Sequence, residues 1–151
     1  MNSSYFYSSI MLVAGFGIPV MAALNGGLGA KLGNPALAST LLLLVGLLLS
    51  VIYLLVTEGV PTRFYDTSIP WYFYTGGVVV TFYNLAITWI APRFGISNTV
   101  SFVLLGQLLA MTLIDHYGLI GAPQYPISLR RLAGLVLMVA GVFLVLGRST
   151  K

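Results

Sequence analysis

From Ala36 to Val56 the chain carries no charged side chain and runs through Leu41-Leu42-Leu43-Leu44 and Leu47-Leu48-Leu49. A helix needs roughly 20 mainly apolar residues to cross the hydrocarbon of a bilayer. In lipid, the backbone N–H and C=O groups of such a run must be satisfied within the segment itself, and an α-helix does that. Four further stretches read the same way, at about 5–24, 70–91, 96–114 and 129–147, the first able to run on toward Ala30. Composition agrees: 7% of the residues are charged and 58% are hydrophobic, whereas soluble domains carry about a quarter charged residues. The expected fold is all-α, a polytopic membrane bundle of five transmembrane helices forming one domain over 1–151. Met1-Asn2-Ser3-Ser4-Tyr5 lacks the positive side chain of a cleaved leader, so the first run reads as a retained span.

The connections have their own chemistry. The first span holds Gly15, Gly17 and Pro19 and is expected to bend there. Asn25-Gly26-Gly27-Leu28-Gly29 reads as a flexible stretch, and Asn34-Pro35 ends the segment. Glu58, Arg63 and Asp66 mark 57–69 as a loop. Ala91-Pro92-Arg93-Phe94-Gly95 reads as a tight turn, and Gly121 to Pro126 as the last loop, with Ser128 a candidate N-cap for the fifth helix. Ser39, Gly46 and Ser50 in the second span, and Gly134 and Gly141 in the fifth, are small residues of the kind that let helices approach closely in lipid.

Several chemistries are excluded at this level. With no cysteine and one histidine, the sequence offers no disulfide framework and no zinc site. No nucleophile–base set or intramembrane acid pair is present, so neither an enzyme nor a metal or cofactor is expected. The net charge of +4 comes from basic residues placed singly or in pairs in the connections. Such placement orients a chain in the bilayer and does not suggest nucleic acid. With five crossings, Arg63, Arg130 and Arg131 fall on one side, and Lys31, Arg93, Arg148 and Lys151 on the other. Orientation follows an excess of Lys and Arg on the cytoplasmic side. Here the two sides nearly balance. Either the N-terminal segment sets a single orientation, or the chain inserts both ways and pairs antiparallel.

Function is sought in the polar residues left inside the spans. Gln107 stands among apolar residues, where lipid offers no hydrogen-bond partner. It binds a solute or bonds a neighbouring helix. In the third span Gly77, Thr81, Asn84 and Thr88 recur at spacings that place them within a sector of roughly 60°. They line an aqueous pocket or a close helix crossing. Asn25 presents its amide at a broken helix or caps one, with Gly26 left-handed. The candidate substrate-binding set is therefore Asn25, Thr81, Asn84, Thr88 and Gln107. Asp115 and His116 are the candidates for protonation, the alternative being a solvated helix end. Tyr5, Tyr7, Trp71, Tyr72 and Tyr125 suit the headgroup level, while Trp89 and Tyr74 border the polar stripe.

The combination of Gly106-Gln107-Leu108, Ile114-Asp115-His116-Tyr117-Gly118-Leu119 and Pro126-Ile127-Ser128-Leu129-Arg130-Arg131-Leu132-Ala133-Gly134 resembles the YdcZ-type family of the drug/metabolite transporter superfamily. Asn25-Gly26-x-Leu28-Gly29 and the stretch from Gly76-Gly77 to Tyr83-Asn84 fit the same pattern, so the resemblance covers essentially the whole chain. It implies a five-helix half-transporter of a bacterial inner membrane, pairing with itself as an antiparallel homodimer or with a paralogous chain. The expected activity is secondary transport of a small-molecule substrate, neutral to cationic or amphipathic, by alternating access. The sequence departs from the related small multidrug resistance proteins, which carry a membrane-embedded glutamate in the first helix; no acid lies in the first span here. A passive channel and a non-transporting partner subunit are the competing readings.

Overall fold

The computed structural model describes residues 3–146. Its elements are α1 (Ser3–Leu32), α2 (Pro35–Thr57), a 3₁₀ turn (Trp71–Thr75), α3 (Gly76–Phe94), α4 (Ile96–Tyr117), a second 3₁₀ turn (Leu119–Gly121) and α5 (Leu129–Leu146). No strand occurs among the described residues, and the all-α membrane bundle is the fold found. Among the described residues, four segments are long and apolar enough to cross a membrane: Ser4–Leu32, Pro35–Thr57, Trp71–Phe94 and Ile96–Tyr117. α5 matches the fifth expected helix, whose last residue, Gly147, lies outside the described residues, as do Arg148 and Lys151.

Three expected boundaries are adjusted. α1 runs on past residue 24, taking the longer of the two ends allowed for it. It continues as one helix through Pro19 and through Asn25-Gly26-Gly27-Leu28-Gly29 to Leu32. Asn25 therefore sits within a helix, neither at a break nor at a cap, and Gly26 is not among the residues with positive φ. Glycine costs about 1 kcal/mol relative to alanine within a helix. Two of the three, Gly26 and Gly29, lie where another helix comes close. The actual end is a Schellman motif. Gly33 takes φ +62°, its N–H bonds the Ala30 carbonyl at 3.3 Å, and the Asn34 N–H bonds the Gly29 carbonyl at 3.1 Å. Asn34 at once caps α2, its side chain accepting from Leu37 N–H at 3.0 Å, with Pro35 at the first helical position.

The second correction is at 91–95. α3 carries Pro92 inside its last turn and runs on to Phe94. Pro92 cannot donate to the carbonyl of Thr88 four residues back, yet helical φ is retained. Gly95 alone separates α3 from α4. Third, α4 runs three residues beyond its expected end and stops where Gly118 turns left-handed. The connections after α1 and α3 are thus two residues and one residue long, whereas 58–70 and 118–128 are extended loops.

The chain divides into two compact units, Met1–Arg93 and Phe94–Lys151. In the first, the buried side chains are small or polar. α1 buries Ala22, Asn25, Gly26 and Gly29, and α3 buries Asn84, Ile87, Thr88 and Ala91, each set at the i, i+3, i+4, i+7 spacing of one helical face. α2 contributes Ala38 and Ser39. The long aliphatic side chains of α2 point outward instead; Leu47 is 60% and Val56 80% exposed. Lipid tails are as apolar as leucine, so close backbone approach and polar contacts hold membrane helices together, and small residues permit the approach. A Cβ at Gly26 would stand 3.1 Å from Pro92 Cγ; one at Gly29 would stand 3.1 Å from Pro35 Cα and 3.2 Å from Thr88 Cγ2.

In the second unit, α4 and α5 are joined by a cross-braced corner. Gly118 ends α4 at φ +61°. The 122–128 segment then folds back: Tyr125 N–H donates to the Asp115 carbonyl at 2.7 Å, and Gln124 Nε2 donates to the His116 carbonyl at 3.1 Å. Two of α4's otherwise orphaned terminal carbonyls are satisfied in this way. Ser128 is the N-cap expected for α5, its Oγ accepting from Arg131 N–H at 3.2 Å.

Candidate functional site

The first unit gathers four polar side chains where the C-terminal halves of α1 and α3 meet the start of α2. Asn25 lies seven residues before the end of α1, Thr88 six before the end of α3, and Ser39 four after the start of α2. At 1.5 Å per residue this puts the cluster about 6–10 Å in from the helix ends. Asn25, Ser39, Asn84 and Thr88 are all nearly fully buried. Asn25 Nδ2 donates to Thr88 Oγ1. Ser39 Oγ stands 3.0 Å from Thr88 Oγ1 and 3.1 Å from the Asn84 carbonyl oxygen. Each hydroxyl has one proton to give. The set closes when Ser39 donates to the Asn84 carbonyl, Thr88 donates to Ser39, and the Asn25 amide donates to Thr88.

Asn84 is left half satisfied. Its Nδ2 donates to the Val80 carbonyl at 3.0 Å, while its Oδ1 is buried with no hydrogen-bond partner among the described residues. Leaving such an acceptor unpaired costs about 1–3 kcal/mol. Beside the cluster, between α1 and α2, runs an apolar groove of about 440 Å³ whose lining includes Met21, Leu24, Asn25, Leu28 and Leu41. A largely apolar concavity with few polar groups is the usual form of a small-ligand site.

The other candidates stand elsewhere. Thr81 is exposed, and its hydroxyl bonds the Gly77 carbonyl at 2.8 Å, within its own helix. Gln107 is exposed on α4, in the second unit, and its side chain makes no hydrogen bond among the described residues. Asp115 and His116 belong to the α4–α5 corner. Arg131 Nη2 donates to Asp115 Oδ2 at 2.5 Å, each side chain about one-third exposed. Ile127 N–H donates to His116 Nδ1 at 3.3 Å, which requires that nitrogen to be unprotonated. Trp89 lies half-exposed with the Arg93 guanidinium 4.8 Å above its ring, and Tyr74 receives the Asp66 N–H on its phenol oxygen at 3.2 Å. Ser39 is the residue that sequence reasoning missed as a site member. It was legible only as a small residue, and its partners lie 45 and 49 positions away. The described residues hold no cluster of three or more His, Asp or Glu side chains placed to bind a metal ion.

Long apolar helices whose buried residues are small or polar define an integral membrane helix bundle with a polar site inside it. The chain belongs to the family described as "Putative inner membrane exporter, YdcZ", whose model matches residues 6–144. That membership makes it an integral inner-membrane protein of a transporter family, which is not an enzyme class. No curated protein and no solved structure matches the chain.

Proposed function

We propose that the chain is half of a secondary transporter that exports a small solute, working by alternating access as an antiparallel, dual-topology homodimer. The observation that carries the reading is the buried Asn84 Oδ1, an acceptor without a donor among the described residues, in a polar cluster whose Asn25 also edges an apolar groove. An acceptor so placed recognises a solute N–H or O–H, and the groove suits an apolar body. The cluster is neutral and its spare group is an acceptor, so an uncharged or weakly cationic amphipathic donor fits it and an anion, repelled by that oxygen and offered no basic side chain, does not. Polar groups inside membranes commonly mark solute pathways. Export is the direction that the family description gives.

Pairing is supported by the charge count, three basic residues on one side against four on the other. Two oppositely inserted copies recreate the inverted repeat that single-chain transporters carry internally. The substrate-binding set is then Asn25, Thr81, Asn84, Thr88 and Gln107, with the exposed members Thr81 and Gln107 covered on dimerisation. The test is exchange flux in proteoliposomes made from this chain alone. Saturable flux, lost in Asn84→Leu while the protein remains folded, is expected. Non-saturating flux would indicate a passive channel, and absence of flux until a second, unlike chain is added would indicate a partner subunit.

A further inference from the structure

Arg93, in the last turn of α3, is a cation set far from the acids of its own unit. Those acids are Glu58 and Asp66. Glu58 caps the C-terminal end of α2, and Asp66 is held by its N–H against Tyr74 at the start of the α3 segment. Arg93 belongs to the opposite end, because Trp89, one turn before it, shares a groove with Asn34 and Pro35 at the start of α2. The 23 residues of α2 put about 34 Å between those ends. The third acid of the chain, Asp115, is bound to Arg131. The Arg93 guanidinium is folded back along its helix: its Nη1 donates to the Trp89 carbonyl, and its Cζ lies 4.8 Å from the centroid of the Trp89 ring. That ring forms part of the groove wall. The groove has a volume of about 590 Å³, and the start of α2 and the outer face of α3 wall it, all within the first unit. Phe82, Leu85, Ala86 and Trp89 follow the i, i+3, i+4, i+7 spacing of one helical face, beside the face that carries Asn84 and Thr88. Phe82 stands about 10 Å further from the helix end than Trp89.

We propose that this groove holds one molecule of an anionic phospholipid, its phosphate against Arg93 and an acyl chain along Phe82, Leu85 and Ala86. The occupant follows from the order of the chemistry along the groove. A fixed positive charge stands at the end nearest the membrane surface, and hydrocarbon lies inward of it, which is the polarity of a lipid with an acidic head. A guanidinium has five N–H donors in a planar fork that suits a phosphate, and among the described residues one of its nitrogens is engaged, by the Trp89 carbonyl. The adjoining start of α2 adds the positive end of a helix dipole. Basic pockets between membrane helices bind acidic headgroups in this way. A phospholipid seated here bridges α2 and α3 on a face other than the polar cluster, so the assignment stands apart from the identity of any transported solute.

The chain has two tryptophans, Trp71 and Trp89, so Trp71→Phe leaves the groove with its own reporter. The full chain carrying that change is reconstituted in phosphatidylcholine vesicles that contain a minor fraction of lipid brominated on its acyl chains, which quenches tryptophan on contact. Brominated phosphatidylglycerol is expected to quench Trp89 with an affinity roughly five-fold above that of brominated phosphatidylcholine, the preference that one basic side chain confers near a membrane surface. Adding Arg93→Gln should bring the two lipids level, while Arg63→Gln, in the 58–70 loop, should leave the preference intact. Equal quenching by the two lipids while Arg93 is in place would overturn the proposal, as would a preference that survives Arg93→Gln or one that Arg63→Gln removes as well. Absence of quenching by either lipid would overturn it too, because protein would then cover the groove.

Discussion

Gly29 shows how narrowly the polar cluster is built. A methyl group there would press on Pro35 Cα and Thr88 Cγ2, whereas Gly27, two residues earlier, has nothing within 4 Å of a would-be Cβ. Gly29→Ala is expected to lower stability by about 1–3 kcal/mol, the usual cost of overpacking. Gly27→Ala should be neutral or stabilising by up to about 1 kcal/mol, because alanine is the better helix former. Thermal unfolding of the two variants in the same detergent measures the contrast, and equal effects would contradict the close crossing. Thr88→Val keeps shape and removes the hydroxyl that joins Asn25 to Ser39. Interhelical polar contacts in membranes are worth roughly 0.6–2 kcal/mol, so a loss of that size is expected in the same assay. Much of this was legible in the sequence: Asn25, Asn84 and Thr88 stand out as polar residues in apolar runs. Thr81 shares the stripe on an ideal helix but stands outside the cluster, because the buried face of α3 is confined to its C-terminal half, from Asn84 to Ala91.

At the scale of the elements, helix ends decide what the loops can do. Asp115 and His116 could be read in the sequence as a proton relay or a helix end. The structure sets both in the α4–α5 corner, with Arg131 on one and Ile127 N–H on the other. No period in the sequence could announce that arrangement, since it depends on a segment folding back across a left-handed glycine. Gly118→Ala forces a Cβ into φ +61° and toward the Ala122 carbonyl and Gln124. It should cost about 1–2 kcal/mol and raise amide exchange across 122–128. The boundary errors have a similar origin. Asn-Gly-Gly and Ala-Pro are turn signals locally, but tertiary packing keeps both stretches helical. The 58–70 loop carries a device of its own. Asp66 accepts from Ser68 Oγ at 2.7 Å and Ser68 N–H at 2.9 Å, and these bonds hold its carboxyl below the usual range. A pKa lowered by folding contributes order above the unfolded value and loses it as the pH falls through the folded one. Protection of the Ser68 amide, relative to an unstructured peptide at the same pH, should therefore fall as the pH drops below about 4, and Asp66→Asn should remove that dependence.

At the scale of the whole molecule, the charge balance makes a prediction independent of any solute. A tag placed after Lys151 should be reachable from both sides of the membrane in comparable numbers of molecules. Two or three lysines appended there should collapse the population into one orientation, because added charge near a span end can flip a topology. Flux should fall with it and return when an oppositely biased copy is co-expressed. The uneven connections carry a consequence of their own. The links after α1 and α3 are two residues and one, while 58–70 and 118–128 are longer, the second of them tied to the end of α4. In a chain of five crossings both long links fall on one face of the bilayer and both short ones on the other, so cleavable peptide, above all 58–70, is offered at one face. A protease sealed outside a vesicle would thus act as a census. It would cut every molecule or none in a uniformly inserted population, and about half of them where insertion goes both ways.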